Sequence, residues 1–423
     1  MKTSLSTLAL IIAVGAPSLS MAQDNPDADV SPNKSVRDRF FQRPRGEAGI
    51  AVGLWNIQPS ANVTASYVDN VFIDLPEEIN DGIIAAGGDV QARSLWSRHE
   101  VRLNGGATRT TYIDNDTENF TEVRAGTSGR FDFGRASNLR VNADYRSTVE
   151  QRTALQTAAG SVEPVRFVEQ GVGAIIDLRQ TRFREELGIR FVDTNFDDAI
   201  AASDGSIIDQ DFRDQQFTSA FVRQYIRLRP AVELFLQAEG RQRRFDNEQL
   251  ALGAAQDSDS YILSGGLAFD IQKAARGEIE VGYQDEDFES DLFTDFSGFS
   301  ARAAMEVFIS NLTTVNLEGG RIIVPSAVIG AGGFFANQAL VKVDHELFRN
   351  VLISGGVEYR REAFQDFDRT DTTYVGTVGA TYLIGRHVGI AAEYIYSDVS
   401  SDGAFARSPF DQNIFRLRLD VRR

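Results

Sequence analysis

The segment LRVNADY, residues 139–145, alternates apolar and polar side chains without a break. Successive side chains of a β-strand point to opposite faces, so this segment predicts a strand with one apolar and one polar face. The same pattern recurs in residues 232–239, 279–283 and 415–421. A soluble sandwich would also alternate, with its apolar face turned inward, and alternation alone does not separate the two folds.

Three further features favour a membrane barrel. The alternating segments run for about ten to sixteen residues, whereas a usual strand has about five or six and a tilted membrane strand needs about ten. Short turns alternate with longer loops, which is the layout of outer-membrane barrels. Aromatic residues occur where the segments meet the longer loops, as an interfacial girdle requires. These residues are Tyr112, Tyr145, Phe191, Phe245, Tyr283, Tyr359, Tyr394 and Tyr396.

Eight predicted turns set the strand count. They recur at intervals of roughly 40 residues, the length of two membrane strands and one outer loop. Two strands flank each turn, and one more strand lies before the first pair and one after the last, which gives about 18 strands. Residues 121–129 and 217–225 alternate poorly, so about 16 strands is the alternative. The turns lie near Ser97-Arg98, Gly134-Arg135, Gln180-Thr181, Arg227-Leu228, Lys273-Ala274, Ser310-Asn311, Arg349-Asn350 and Gly385-Arg386.

The predicted fold is therefore an all-β, antiparallel, up-and-down transmembrane barrel with short periplasmic turns and longer external loops. An even strand number places both chain ends on the periplasmic side. The barrel is expected to span residues 60–423 in the outer membrane of a Gram-negative bacterium, in contact with lipid and lipopolysaccharide and inserted by the barrel assembly machinery.

The first 59 residues predict a signal peptide and a tail. Residues 1–22 carry Lys2, the apolar run 8–14 and the small-residue end Ser20-Met21-Ala22, as a cleaved signal peptide does. A transmembrane helix is the rival interpretation, but the apolar run is too short and Pro17 closes it. Residues 23–59 predict a mobile periplasmic tail, too short for the plug of a gated receptor. Within it, Phe40 and Phe41 could enter the barrel mouth or contact a partner, although a loosely packed tail is the expected outcome.

Composition excludes several classes of protein. A formal charge of −17 and a pI near 4.7 argue against nucleic acid as a partner. Cysteine is absent, so neither disulfides nor thiolate metal sites are available, and no cofactor or metal is predicted. The outer loops are acidic, for example in residues 114–118, 193–214, 285–291 and 366–368. Divalent cations could bridge such loops to lipid phosphates, but a solvated, repelling surface is the favoured interpretation.

Along each strand, every second side chain has the same parity and points to the same face. If the apolar parity faces lipid, the side chains of the other parity line the lumen. Early strands then present arginines and later strands present glutamates, which predicts a cationic wall opposite an anionic wall and a channel for polar solutes. The alternative is that these side chains pair across neighbouring strands and close the interior. The lumen-lining candidates are Arg102, Arg140, Arg146, Arg182, Arg184, Arg190, Glu233, Glu239, Glu278, Glu280, Glu318, Glu358, Glu393, Arg416 and Arg418.

Catalysis has little support in the sequence. The three histidines, His99, His345 and His387, each lie beside a predicted turn, and no serine elbow, metal-binding histidine pair or phosphate loop is present. Glu278 and Glu280 form a carboxylate pair without a partner histidine. We therefore expect no enzymatic activity.

A series of short segments follows one order along the chain: Arg43-Pro44-Arg45, Pro59-Ser60-Ala61, residues 66–72, Trp96-Ser97-Arg98-His99, Tyr112-Ile113-Asp114, Glu118-Asn119-Phe120 and residues 129–132. In this order they resemble the β-barrel porin 2 family of outer-membrane proteins. The resemblance implies an outer-membrane barrel, and relatives of this kind often accompany exopolysaccharide or capsule export machinery, whose components would then be partners.

The end of the chain departs from the usual barrel, which ends in an aromatic residue. Here the last residues are Val421-Arg422-Arg423, so recognition by the assembly machinery would rely on Phe415, Leu417 and Leu419 instead.

The leading hypothesis is an outer-membrane channel that passes a polar solute, such as a secreted polysaccharide, through a charged lumen. The alternative is a structural or adhesive barrel whose interior is closed by salt-bridged side chains.

Overall fold

The computed structural model describes residues 34–42, 49–73, 78–134, 136–153, 160–248, 253–326, 328, 330–365 and 367–423. The predicted signal peptide, tail residues 23–33 and 43–48, and Arg135 lie outside the described residues. Among the residues that are described, none of the helices is long and apolar enough to span a membrane.

Eighteen antiparallel strands of 13 to 16 residues form one closed barrel, which confirms the predicted fold class. Each strand pairs with its neighbours in the sequence, and the first strand pairs with the last from Ser60 opposite Arg422 to Val68 opposite Ile414. The strands are β1 Trp55–Val68, β2 Asp81–Ser94, β3 Glu100–Tyr112, β4 Phe120–Phe133, β5 Ser137–Val149, β6 Arg166–Arg179, β7 Phe183–Phe196, β8 Gln215–Arg229, β9 Val232–Phe245, β10 Ser258–Ile271, β11 Ala275–Phe288, β12 Phe296–Ser310, β13 Thr313–Pro325, β14 Gly333–Phe348, β15 Val351–Phe364, β16 Thr370–Ile384, β17 Val388–Asp402 and β18 Phe410–Arg422.

Short connections gather at one end of the barrel, the turn end, and long connections at the other, the loop end. Seven of the eight predicted turns coincide with short connections. The prediction at Arg227-Leu228 is wrong, because β8 continues to Arg229 and the chain turns at 230–231. Leu228 belongs to the exposed apolar outer face, and a register shift between Arg227 and Arg229 lets β8 continue past it.

The outer face of the barrel carries many exposed apolar side chains, with polar residues such as Arg109 and Arg244 on the same face near the loop end. On β18, for example, Phe415, Leu417 and Leu419 are exposed, while the alternate residues Arg416 and Arg418 face the interior. A continuous exposed apolar band of this kind matches hydrocarbon rather than water. Of the predicted girdle residues, six have the outer parity. Tyr112 and Phe245 have the inner parity, and Tyr112 packs beside Ile83 and Phe72 inside the barrel.

The barrel begins earlier than the predicted boundary at residue 60. β1 starts at Trp55, and a three-residue strand, Ile50–Val52, folds back on it with Ile50 opposite Ile57. The remaining short elements lie at the loop end. They are the 3-10 helices Asp116–Glu118 and Asp211–Arg213 and the two-stranded ribbon of Ala199–Ile200 and Ile207–Ile208.

One helix, α1 (Val36–Gln42), precedes the barrel strands. The expectation of a loosely packed tail is wrong for this segment, because Phe40 is 1% exposed and Phe41 8% exposed. Both rings pack against Leu352 and Leu383, two inward-facing leucines near the turn end. Burying the rings against these leucines removes apolar surface from water, which the isolated tail could not do.

Candidate channel lumen

Fourteen of the fifteen candidate residues lie within strands, on the parity opposite to the exposed apolar face. Arg182 is the exception. It occupies the turn between β6 and β7, where its side chain is exposed and its carbonyl accepts the N–H of Arg227 at 3.0 Å.

Ion pairs connect most of the inward-facing charges. Arg140 on β5 meets Glu186 on β7 at 3.2 Å, and Arg184 on β7 meets Glu233 on β9 at 3.7 Å. Each of these pairs reaches over one intervening strand. Six further pairs involve candidates: Arg102 with Glu100 at 2.5 Å, Arg146 with Glu122 at 3.1 Å, Arg190 with Asp144 at 3.3 Å, Glu239 with Arg241 at 2.7 Å, Arg416 with Glu393 at 2.9 Å and Arg418 with Asp420 at 2.7 Å.

Glycine makes room for one of these bridges. Gly171 on β6 lies beneath the Asp144–Arg190 pair, and a Cβ at this position would come within 2.6 Å of the Asp144 carboxylate and 2.9 Å of the Arg190 guanidinium. Because Gly171 has no side chain, Asp144 of β5 and Arg190 of β7 can meet over β6. The same arrangement recurs where Asp89 and Arg124 meet over Gly106.

Sequence reasoning missed the most connected inward residue, Arg223 on β8. Its guanidinium meets Glu278 at 2.9 Å and Glu280 at 3.4 Å, and it lies 4.3 Å from the centre of the Phe235 ring. The stretch around it alternates poorly because its inner face carries aromatic residues, among them Tyr225, which is 2% exposed. Arg223 occupies the same inward-facing series of positions as these rings, so a search for arginine in that series would have found it.

Two candidate carboxylates differ from the rest. Glu318 on β13 and Glu358 on β15 take part in no ion pair within the described part of the chain, and both flank Leu340 of β14 in the sheet register. Glu318 is exposed although it has the inner parity, so its carboxylate faces solvent inside the barrel. These two groups are therefore free negative charges on the inner face.

Loop residues fold over the inner face at the loop end. Val71, in the connection between β1 and β2, packs against the inward residues Val375, Ile395 and Ile414. Ile395 and Ile414 are in register with Val68, the last residue of β1, so this contact lies at the level where β1 ends. A second cluster joins Phe334 and Phe364 to Ala331 of the 326–332 connection, and a third joins Phe167 and Phe196 to Ala199.

The acidic loop 197–214 is tied to the barrel by Asp214. This buried carboxylate accepts the N–H of Phe196 at 2.7 Å and the amide of Asn195 at 2.8 Å. Burial, together with neighbouring carboxylates such as Asp211, raises the pKa of Asp214 to about 6. In the same loop Asp198, Asp209 and Asp211 bring exposed carboxylates within 4.8 Å of one another, as solvated acidic loops commonly do.

The three histidines lie on separate strands or turns and make separate hydrogen bonds. The His99 Nδ1 accepts the N–H of Asp132 at 3.1 Å, and the His345 ring bonds the Thr313 hydroxyl at 3.0 Å. The His387 Nδ1 lies 2.9 Å from the carbonyl of Arg422. Their positions give no shared centre for catalysis.

Comparison with solved structures gives matches that share little sequence with this chain. OccK1 (OpdK) of Pseudomonas aeruginosa is 10% identical, with 87% of this chain and 98% of that chain covered and a TM-score of 0.44. OccK2 (OpdF) of the same organism is 10% identical, with coverages of 86% and 98% and a TM-score of 0.45. The siderophore receptor PirA of Acinetobacter baumannii is 7% identical, with coverages of 87% and 80% and a TM-score of 0.47. At these identities the likeness concerns the fold alone.

Sequence comparison gives the family. A search of curated protein sequences found no significant match. The sequence profile of the family described as "Putative beta-barrel porin 2", in contrast, matches residues 43–423, nearly the whole chain. The closed 18-stranded sheet with its apolar outer face agrees with that match. The chain therefore belongs to the beta-barrel porin 2 family and is a porin-like barrel of the outer membrane.

Proposed function

We propose that this barrel passes a hydrated polar solute across the outer membrane by passive diffusion. The observation that supports the proposal is the charged, ion-paired inner face of an 18-stranded barrel. Barrels of about this strand number generally enclose an aqueous lumen. The turn end, with both chain ends, then faces the periplasm, because outer-membrane barrels keep their short turns there.

A secreted exopolysaccharide or capsule polymer is the proposed solute. The family resemblance supports this choice, and so does the chemistry of the inner face, where carboxylates and guanidinium groups can exchange hydrogen bonds with sugar hydroxyls and water. Components of a polysaccharide export machinery would deliver the polymer at the turn end. Lipopolysaccharide and the assembly machinery would be the partners of the outer surface.

Electrical recording tests the channel directly. Purified, folded protein in planar bilayers should give discrete ion-conducting steps, and candidate oligosaccharides should block them. Reversal potentials from the same recordings give the ion preference of the lumen. A folded barrel that stays silent even when α1 is displaced from the turn end would remove the channel proposal.

A structural or adhesive barrel is the second candidate. It is favoured by the position of α1 and by the loop residues that pack against the inner face at the other end. A barrel that stays silent with α1 displaced would support it. Neighbouring genes offer an independent comparison, because glycosyltransferases and a polymer flippase beside the gene would favour export.

A further inference from the structure

α1 is held inside the turn end of the barrel by polar contacts with several strands. The Arg37 guanidinium donates to the Asp344 carboxylate on β14 and to the Ser354 hydroxyl on β15, both at 2.8 Å. Asp38 lies 3.6 Å from the Arg276 guanidinium on β11. Asp344 is 1% exposed, so it is not a surface carboxylate that meets Arg37 by chance.

The backbone and the neighbouring residues of α1 are also fixed. The N–H of Val36 donates to the Thr314 hydroxyl on β13 at 3.0 Å, and the Arg39 guanidinium donates to the carbonyl of Asn311 at 2.5 Å. Thr314 is fully buried. The first turn of the helix is therefore hydrogen-bonded to the barrel through its backbone as well as through its side chains.

Apolar packing completes the docking site. Val36, Phe40 and Phe41 cover Leu352 of β15 and Leu383 of β16, which are 0% and 5% exposed. Both leucines have the inner parity, on the face of the strands that carries the ion-paired side chains. Uncovered leucines on a wet inner face would be unfavourable, so this part of the wall is built to hold an apolar segment.

The partners of α1 are spread around the barrel. They begin at Arg276 on β11 and extend to Arg422 on β18, whose guanidinium lies 5.4 Å from the centre of the Phe41 ring. A helix of seven residues is only about 10 Å long, yet its contacts reach strands in nearly half of the circumference. The helix thus lies across the mouth rather than along one strand.

We propose that α1 is a detachable plug that restricts solute passage through the turn end of the barrel. This inference rests on the proposed channel function. α1 precedes β1 and contributes no strand to the closed sheet, so its release leaves the barrel wall intact. Charge pairs and a small apolar contact hold it, which allows a change in electrostatics to release it.

Charge reversal at the Arg37–Asp344 pair tests the plug. Arg37→Asp places two carboxylates together in a buried position, and Asp344→Arg does the same with two guanidinium groups, so each change should expel α1. Single-channel conductance in planar bilayers should rise by about twofold or more in each single variant. The double variant restores an opposite-charge pair and should return conductance toward the wild-type value. Arg98→Asp, an exposed turn-end position between β2 and β3, outside the strands that contact α1, is the matched control and should leave conductance unchanged.

A disulfide supplies the opposite test. The chain contains no cysteine, so Val36→Cys with Thr314→Cys introduces one pair where the helix start touches β13. Oxidised channels should stay at low conductance even when Arg37→Asp is added, and reduction should then raise the conductance. Phe40→Ala is the alternative release variant if the charge variants do not fold.

The outcomes separate the two proposals. Wild-type and release variants with equal, measurable conductance would overturn the plug and leave the channel standing. Silence in the wild type and steps in the release variants would support both proposals. Folded barrels that are silent in every variant would overturn the channel, and the plug with it.

Discussion

At the scale of single residues, the loop end depends on a buried ion pair between two long connections. Glu150 follows β5 and Arg213 precedes β8, and the two side chains meet twice, at 2.5 and 3.0 Å. They are 0% and 2% exposed. Removing one partner of a buried pair leaves an uncompensated charge, which typically costs about 3–5 kcal/mol.

We therefore predict that Glu150→Gln or Arg213→Met strongly lowers the stability of the loop end. Guanidinium unfolding of the barrel in detergent, with proteolysis of loop 197–214, measures the loss. The double variant Glu150→Leu with Arg213→Met should recover much of it, because no lone charge remains. The exposed pair Arg166–Asp197, 4.0 Å apart, is the control, and Asp197→Asn should change little. Equal effects at both pairs would contradict the argument.

Asp214 predicts a pH dependence. Burial raises its pKa to about 6, above the ordinary value of 3.8, so between these values the folded loop end binds a proton that the unfolded chain does not. Its contribution to stability is therefore greatest at low pH and falls as pH rises through this range. Asp214→Asn removes the titration while keeping the size of the side chain.

Thermal unfolding at two pH values checks this sign. The melting temperature of Asp214→Asn, measured relative to the wild type, should be higher at pH 7.5 than at pH 4.5. The expected difference is a few degrees, since each kcal/mol corresponds to only about 2–4 °C in a large domain. A difference between variant and wild type that does not vary with pH would show that Asp214 does not titrate in this range.

At the scale of elements, close strand packing predicts which glycines are required. At Gly266 on β10, a Cβ would lie 2.3 Å from the carbonyl oxygen of Ile279 and 2.4 Å from the Phe235 ring. At Gly240 on β9, nothing lies within 4 Å of an added Cβ. Gly266→Ala should destabilise the barrel by about 1–3 kcal/mol because it overpacks the inner face. Gly240→Ala should be neutral. Denaturant midpoints measure the stability of the two variants, and equal midpoints would refute the packing argument.

The strands themselves could be predicted from the sequence because their pattern is local. Each membrane strand must expose apolar side chains on one face, so the alternation survives in segments such as 139–145 without any knowledge of neighbours. Where the inner face also carries rings, as at Phe221 and Tyr225, the alternation fades although the strand is present. The turn at 230–231 was misplaced because Leu228 belongs to the outer face beyond the basic residue that suggested a turn.

Contacts between distant elements could not be predicted in the same way. The pair of Arg140 and Glu186 requires the register of three strands, and nothing in either local sequence gives that register. The burial of Phe40 depends on Leu352 and Leu383, which lie more than three hundred residues away in the chain. Local composition of the tail was polar, and the apolar surface that holds α1 becomes visible only when the barrel is closed.

At the scale of the whole molecule, ion pairing between side chains decides how strong an electric field the inner face generates in the lumen. A paired guanidinium and carboxylate largely cancel at a distance, so the predicted cationic wall is weakened wherever an arginine has a partner. The unpaired carboxylates Glu318 and Glu358 then add negative charge on the β13–β15 side, which the inward Lys342 of β14 offsets in part. If the barrel conducts, this side should attract cations.

Neutralising Glu318 gives the last prediction. Glu318→Gln removes a free carboxylate that faces solvent inside the barrel, so the preference of the channel for cations should fall, by about twofold in permeability ratio. Reversal potentials under a salt gradient measure the change. The shift should be clear near 0.1 M salt and small near 1 M, because the screening length falls from about 10 Å to about 3 Å. Asp204→Asn removes the same charge from an exposed loop position and should shift the reversal potential less. Equal shifts in the two variants would mean that the current does not pass Glu318.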